Sequence, residues 1–125
     1  MTSLPHSSPL SLTCSASQGT VRVELRGDLD HLFTDRLLDV VDRVLAEHRP
    51  LRHLRLDFTG LTGVDSSGLA ALLMVRRRTD AVGTGLHLDG RTVQLNRLLE
   101  VTGTLEHLTA PGVRSARSRG PETSV

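Results

Sequence analysis

Asp65-Ser66-Ser67-Gly68 is the run in this chain best suited to chemistry. An acidic residue and two adjacent hydroxyls stand directly before a segment of helical apolar spacing, which is how a helix N-terminus is written. The first N–H groups of such a helix lack internal partners, and the helix dipole is positive there. Asp65 or Ser66 can cap those donors, while Gly68 and Ala70 keep the first turn thin enough for another protein's backbone to approach. Two readings stand side by side: a structural cap, and a functional hydroxyl that is exposed, ordered and reachable.

Other chemistry is poorly supported. Val64-Asp65-Ser66-Ser67-Gly68 has the look of a nucleophile elbow, but that motif needs glycine where Val64 stands. His6, His31, His48, His53, His87 and His107 are scattered through arm, helix and strand positions, and none is nominated as a base for Ser66. The chain therefore reads as a non-enzyme. No histidine pair has the spacing of a helical zinc site. The single cysteine, Cys14, excludes an internal disulfide and a multi-cysteine cluster, so no cofactor is expected. Gly83-Thr84-Gly85 lacks the third glycine of a dinucleotide loop and no Walker A sequence occurs, which leaves only weak nucleotide binding near Ser66 open. Arg76-Arg77-Arg78 spans nearly a full helical turn, forms no single stripe, and reads as a solvated run matched to the helix dipole. With two aromatics, Phe33 and Phe58, and a formal charge of +1, direct nucleic-acid binding is not expected.

The elements that must position the 65–68 run follow from periodicity. The 125 residues suit one domain with one core, built mainly from Leu and Val. No apolar run reaches the roughly 18 to 20 residues of a membrane span. Met1 to Pro9 carries no signal-peptide pattern, and the expectation is a loose arm on a protein of the reducing cytoplasm, without membrane partners. Leu10, Leu12 and Cys14 alternate with polar residues, as do Val21, Val23 and Leu25, predicting an antiparallel hairpin with one buried face. Gly27-Asp28-Leu29-Asp30 is expected to break the second strand, with Asp30 as a helix N-cap. Phe33, Leu37, Val40, Val41, Val44 and Leu45 share a helical face, which Pro50 ends.

Leu54, Leu56 and Phe58 predict a third strand, and Thr59 to Gly63 a loop. A second helix is expected over Ser66 to Ala81, with Leu69, Leu72 and Leu73 inward and Gly83 ending it. Leu86 to Leu88 predicts a fourth strand. Thr92 caps a third helix that buries Leu95, Leu98 and Leu99 and stops at Gly103, and Leu105 to Leu108 adds a last turn. Strands joined through helices pair in parallel, so the expected fold is α/β: a mixed sheet of four to five strands packed with about four helices. From Thr109 the chain is polar and aperiodic, and 109–125 reads as a disordered tail in which Arg114, Arg117 and Arg119 offer contacts to an acidic partner.

The stretch from Leu54 to Leu69, Leu-Arg-Leu-Asp-Phe-Thr-Gly-Leu-Thr-Gly-Val-Asp-Ser-Ser-Gly-Leu, resembles the signature of the STAS domain as found in bacterial anti-sigma factor antagonists. Three further pieces agree in order. Gly27-Asp28-Leu29-Asp30 is similar to the family's Gly-Glu-Leu-Asp turn, with Asp28 replacing the more usual Glu. Gly83 to Leu88 is similar to its glycine-led fourth strand, and Leu98 to Gly103 to its Leu-x-x-Thr-Gly helix end. The resemblance covers residues 10–108 and implies a single STAS-like domain. It implies that Ser66 is a phosphoacceptor, with Ser67 as second choice. It also implies that Asp28, Asp30, Asp65, Ser66, Ser67, Gly68 and Leu69 meet the partner. The implied partners are an anti-sigma factor that is also a serine kinase of the histidine-kinase-like ATPase fold, and a PP2C-type phosphatase that resets the cycle. The family also contains scaffolds and subunits of larger assemblies that do not cycle, and this alternative stays open.

Overall fold

The computed structural model describes residues 9–110. The 1–8 part of the expected arm, His6 included, and residues 111–125 of the expected tail, with Arg114, Arg117 and Arg119, lie outside the described residues. The chain forms β1 (Ser11–Ser17), β2 (Thr20–Leu29), α1 (Thr34–Glu47), β3 (His53–Val64), α2 (Ser66–Ala81), β4 (Gly85–Asp89), α3 (Val93–Val101) and α4 (Leu105–Thr109). The strands lie in the order β1-β2-β3-β4. β1 and β2 are antiparallel, whereas β2–β3 and β3–β4 are parallel. This is the mixed sheet expected, and its helix count is the one expected.

The hairpin closes through Gln18 and Gly19, both at positive φ (51° and 83°), the pairing of conformations that lets a two-residue turn follow the strand twist. Val21, Val23 and Leu25 on β2, Leu54, Leu56 and Phe58 on β3, and Leu86 and Leu88 on β4 then point to one face. Leu37, Val41 and Val44 of α1, Leu72 and Val75 of α2, Leu95 and Leu99 of α3 and Leu108 of α4 close over that face in a single core. Phe33, Val40, Leu73 and Leu98, expected to point inward, are only partly buried at its margin. β1 departs further: Leu12 is half-buried and Cys14 exposed, because α1 does not reach across the edge strand to cover them.

The opposite face of the sheet is open and polar. Arg22 bridges Asp57 (2.9 Å) and Asp89 (3.4 Å), Arg55 bridges Asp89 (3.1 Å), and the imidazoles of His53 and His87 hydrogen-bond across β3 and β4 (3.0 Å). Two histidines that look unrelated in sequence are thus cross-strand neighbours.

Four local expectations fail, each for a physical reason. β2 does not break at Gly27; it runs on to Leu29, and Thr59 to Gly63 is not a loop but the second half of β3. Arg26 pairs with Gly60, Gly27 with Leu61, Asp28 with Gly63 and Leu29 with Val64, across register shifts at Glu24/Arg26 and Gly27/Asp28. The glycines that suggest a loop serve close approach. A Cβ on Gly60 would stand 2.8 Å from Arg26 Cγ, and one on Gly63 would stand 2.9 Å from Asp28 Oδ1. Asp30 is not the helix cap. Its Oδ1 accepts the Leu32 N–H (3.0 Å), and its carbonyl accepts from Phe33 and Thr34, so it heads a turn that delivers α1 at Thr34. Finally, Arg76 is not solvated. Its side chain is 3% exposed, Nε binds Asp80 (3.0 Å) and one Nη donates to the Ala110 carbonyl (2.9 Å), while Arg78 grips both oxygens of Asp42 on α1. Only Arg77 of the three is solvent-facing.

Candidate functional site

The carboxyl ends of β2 and β3 meet the N-terminus of α2 through Leu29. Leu29 pairs with Val64 across the sheet, its carbonyl accepts the Asp65 N–H (3.4 Å), and the same carbonyl lies against Gly68. The 28–30 segment and the 63–68 segment are thereby locked side by side, although 34 residues separate Asp28 from Thr62. Asp65 is the α2 N-cap: its backbone is extended and its Oδ1 accepts the Gly68 N–H at 3.0 Å. Thr92 plays the equivalent part for α3, accepting from Leu95. Thr92 is the cap expected for α3, and Asp65 is one of the two residues, with Ser66, expected to cap α2.

The seven expected contact residues divide. Ser66 is exposed, Ser67 half-exposed, and Asp28, Asp30 and Asp65 partly exposed. Gly68 and Leu69 are buried beneath these five. Gly68 is thin for an internal reason, since a Cβ there would run into the Leu29 carbonyl and stand 2.9 Å from Val64 Cγ2. The exposed Ala70, by contrast, does leave the outer side of the first turn low.

Three residues join the site that the sequence reading passed over. Thr62 donates its hydroxyl to Asp28 Oδ1 at 2.6 Å, fixing that carboxylate at the rim. His31 Nδ1 stands 3.9 Å from Asp65 Oδ2, with both side chains well exposed. Leu32 is 61% exposed, an apolar group presented beside the acidic rim. Its signal was available, because Leu32 falls out of phase with the buried face of α1.

Chemically, this end offers a free hydroxyl on a helix tip. The Ser66 hydroxyl makes no hydrogen bond to any described residue, and neither do the Ser66 and Ser67 backbone N–H groups, while the Gly68 N–H is already taken by Asp65. Unpartnered amides at a helix N-terminus favour an anionic group on the first turn. Among the described residues, no group of three or more His, Cys, Asp and Glu is arranged to hold a metal ion. Among the same residues, no helix is long and apolar enough to cross a membrane.

A mixed sheet with helices on one face and an aspartate-capped helix at the β3–α2 junction defines a small α/β domain. The family model described as Mlab, STAS domain matches residues 12–109, and the chain belongs to the STAS domain family. Solved structures agree in fold. An anti-sigma factor antagonist from Mycobacterium paratuberculosis has TM-score 0.65 and 20% identity, with 87% of this chain and 92% of that one covered. The Bacillus cell fate determinant SpoIIAA in its phosphorylated form has TM-score 0.63 and 20% identity, over 87% and 100% of the two chains. A sulfate transporter family protein from Wolinella succinogenes has TM-score 0.65 and 24% identity, over 75% of each. At such identities the likeness is one of fold.

Proposed function

We propose that this chain is an anti-sigma factor antagonist whose unphosphorylated form binds an anti-sigma factor through the α2 tip and is released by phosphorylation of Ser66. The observation that carries the reading is the Ser66 hydroxyl itself, exposed and unpartnered on the first turn of α2. The STAS membership and the fold shared with anti-sigma factor antagonists, one of them known in phosphorylated and unphosphorylated forms, support it.

Phosphate adds about −1.5 to −2 charges on that turn. The free amides of Ser66 and Ser67 and the helix dipole would stabilise it within the domain by about 0.3 to 1 kcal/mol. Asp65 beside it, and Asp28 and Asp30 on the neighbouring strand end, make the same surface more negative. A partner that packs its own surface over Ser66 and Leu32 then meets bulk, charge and a hydration shell it must strip. The fold need not change, because the group points outward. A hundredfold release takes only about 3 kcal/mol of differential binding. In this reading the domain is a binding and regulatory module, the kinase supplies the chemistry from ATP, and a PP2C-type phosphatase reverses it. Ser67, half-exposed one position deeper, is the second acceptor.

The test is co-purification of the full chain from its native host, followed by ATP labelling of the recovered complex. Wild type is expected to carry an ATPase-fold kinase, and Ser66→Asp to lose it about a hundredfold. Ser66→Ala is expected to stay bound in ATP and to take up no label. Normal labelling of Ser66→Ala would remove Ser66 as the acceptor.

A second reading has its own support in the family description and the transporter-family neighbour: a STAS domain that serves as a non-cycling subunit of a larger assembly. It predicts that Ser66→Asp leaves the recovered partner unchanged, and that the partner is not a kinase.

A further inference from the structure

A β-strand at the edge of a sheet presents unpaired N–H and C=O groups, and proteins ordinarily guard such strands with charges, proline, bulges, short length or a covering element. Among the described residues, β1 has none of these guards. Ser11-Leu12-Thr13-Cys14-Ser15-Ala16-Ser17 contains no charged residue and no proline, its register with β2 is unbroken from end to end, and every residue but the half-buried Leu12 is exposed. The other edge, β4, is only five residues long and carries His87 and Asp89, both engaged with β3. Inward of β1, Leu12, Cys14 and Ala16 wall an open groove of about 350 Å³ whose far side is Val40, Arg43, Val44 and Glu47 of α1.

We propose that β1 is a self-association surface, on which a second copy of this chain adds its own β1 antiparallel about a two-fold axis at Cys14. Cys14 is the middle residue of the strand, so this register uses all of β1: Ser11 faces the partner's Ser17, Leu12 the partner's Ala16, and Thr13 the partner's Ser15. A second copy fits for two reasons. An uncharged strand meets no like-charge cost when it is duplicated across a two-fold, and isologous pairing is self-complementary by construction. The groove wall also carries both signs, Arg43 and Glu47, so the two α1 helices bring opposite charges toward each other across the axis while the apolar wall residues are covered. The result is one eight-stranded sheet. Because the surface consists of one strand and one groove wall, its area falls at the low end for stable interfaces, about 1,200 Å² in total, and association is concentration-dependent. None of its residues belongs to the Ser66 end, so the proposal is independent of the function proposed above.

Sedimentation velocity on the reduced full chain over a wide concentration range tests it. A reversible monomer–dimer equilibrium is expected. Thr13→Lys/Ser15→Lys places lysines opposite each other across the axis and is expected to weaken the dimer about tenfold or more. Thr13→Lys/Ser15→Glu sets each introduced lysine against an introduced glutamate and is expected to restore it, which a mere loss of folding would not do. Directly opposed residues of an antiparallel pair have Cα atoms about 4.5 to 5.5 Å apart, within the span a disulfide bridges. With diamide as oxidant, Cys14 should therefore cross-link to its own copy. In a Cys14→Ser background, Leu12→Cys and Ala16→Cys should each fail to cross-link alone and link when mixed. A monomer at every concentration, a dimer indifferent to the double-lysine change, or efficient self-linking of Leu12→Cys would each overturn the proposal.

Discussion

Gly68 and Asp65 sit three positions apart on one turn and act in opposite directions: the carboxylate reaches forward to the Gly68 amide, and the missing side chain of Gly68 lets α2 settle onto the Leu29 carbonyl. Removing each should therefore cost differently. Asp65→Ala loses one cap and is expected to destabilise the domain by about 1 kcal/mol in urea unfolding. Gly68→Ala forces the helix away from β2 and is expected to cost about 1 to 3 kcal/mol, the range for overpacked interiors. It should also displace Ser66 and weaken partner capture, even though residue 68 is buried. Equal, small losses for both would show that the contact with Leu29 relaxes freely. At this scale the sequence was legible at Asp65 and Thr92, which cap their own helices, but not at Asp30, whose carboxylate closes a turn ahead of α1 instead. It was illegible where a side chain is absent for the sake of something distant in sequence, as with Gly68 against Leu29.

The same contrast governs the elements. Helix α2 was readable to its ends, and the buried alternation of β2 and β3 was readable through Leu25 and Phe58. The β2–β3 ends were not, because Gly27, Gly60 and Gly63 carry the composition of a loop while serving a bulged strand pair whose partner is far along the chain. The arginine run failed for a related reason. Its exposure depends on what packs over the second half of α2, and α4 does so, its terminal carbonyls falling on Arg76. Arg76 thus joins two elements that share little apolar surface. Arg76→Leu leaves Asp80 without its buried partner and the Leu108 and Ala110 carbonyls without a donor. The expected loss is about 3 kcal/mol or more in urea unfolding. Hydrogen exchange should show the α4 amides losing protection while the first turns of α2 keep theirs. Unchanged α4 protection would mean that Leu108 alone docks the helix.

For the whole molecule, the open face of the sheet makes stability depend on pH in one direction. Asp57 is held below the ordinary carboxylate range by hydrogen bonds from the Thr59 hydroxyl (2.7 Å) and amide (3.0 Å), with Arg22 adding to them. Such a group contributes fully above about pH 3.9 and loses its contribution as pH falls through its lowered value. His87 is pushed below its ordinary value by burial, then by Arg55, then by His53, with Asp89 opposing. Its neutral form is the one the fold prefers, so the unfolded chain takes up a proton first. Its contribution is complete above about pH 6.5 and is lost as pH falls below that. The His53–His87 hydrogen bond points the same way, because one ring must accept and a doubly protonated pair has no acceptor. Both groups make stability rise with pH, in two separate windows. Urea midpoints measured from pH 3 to pH 8 are therefore expected to climb in two steps. His87→Gln should flatten the step between about pH 5 and 7, and Asp57→Asn the step near and below about pH 4. A wild-type curve level between pH 5 and 7 would show that His87 is not coupled to folding, and an unaltered step in His87→Gln would place the neutral-range titration elsewhere in the chain.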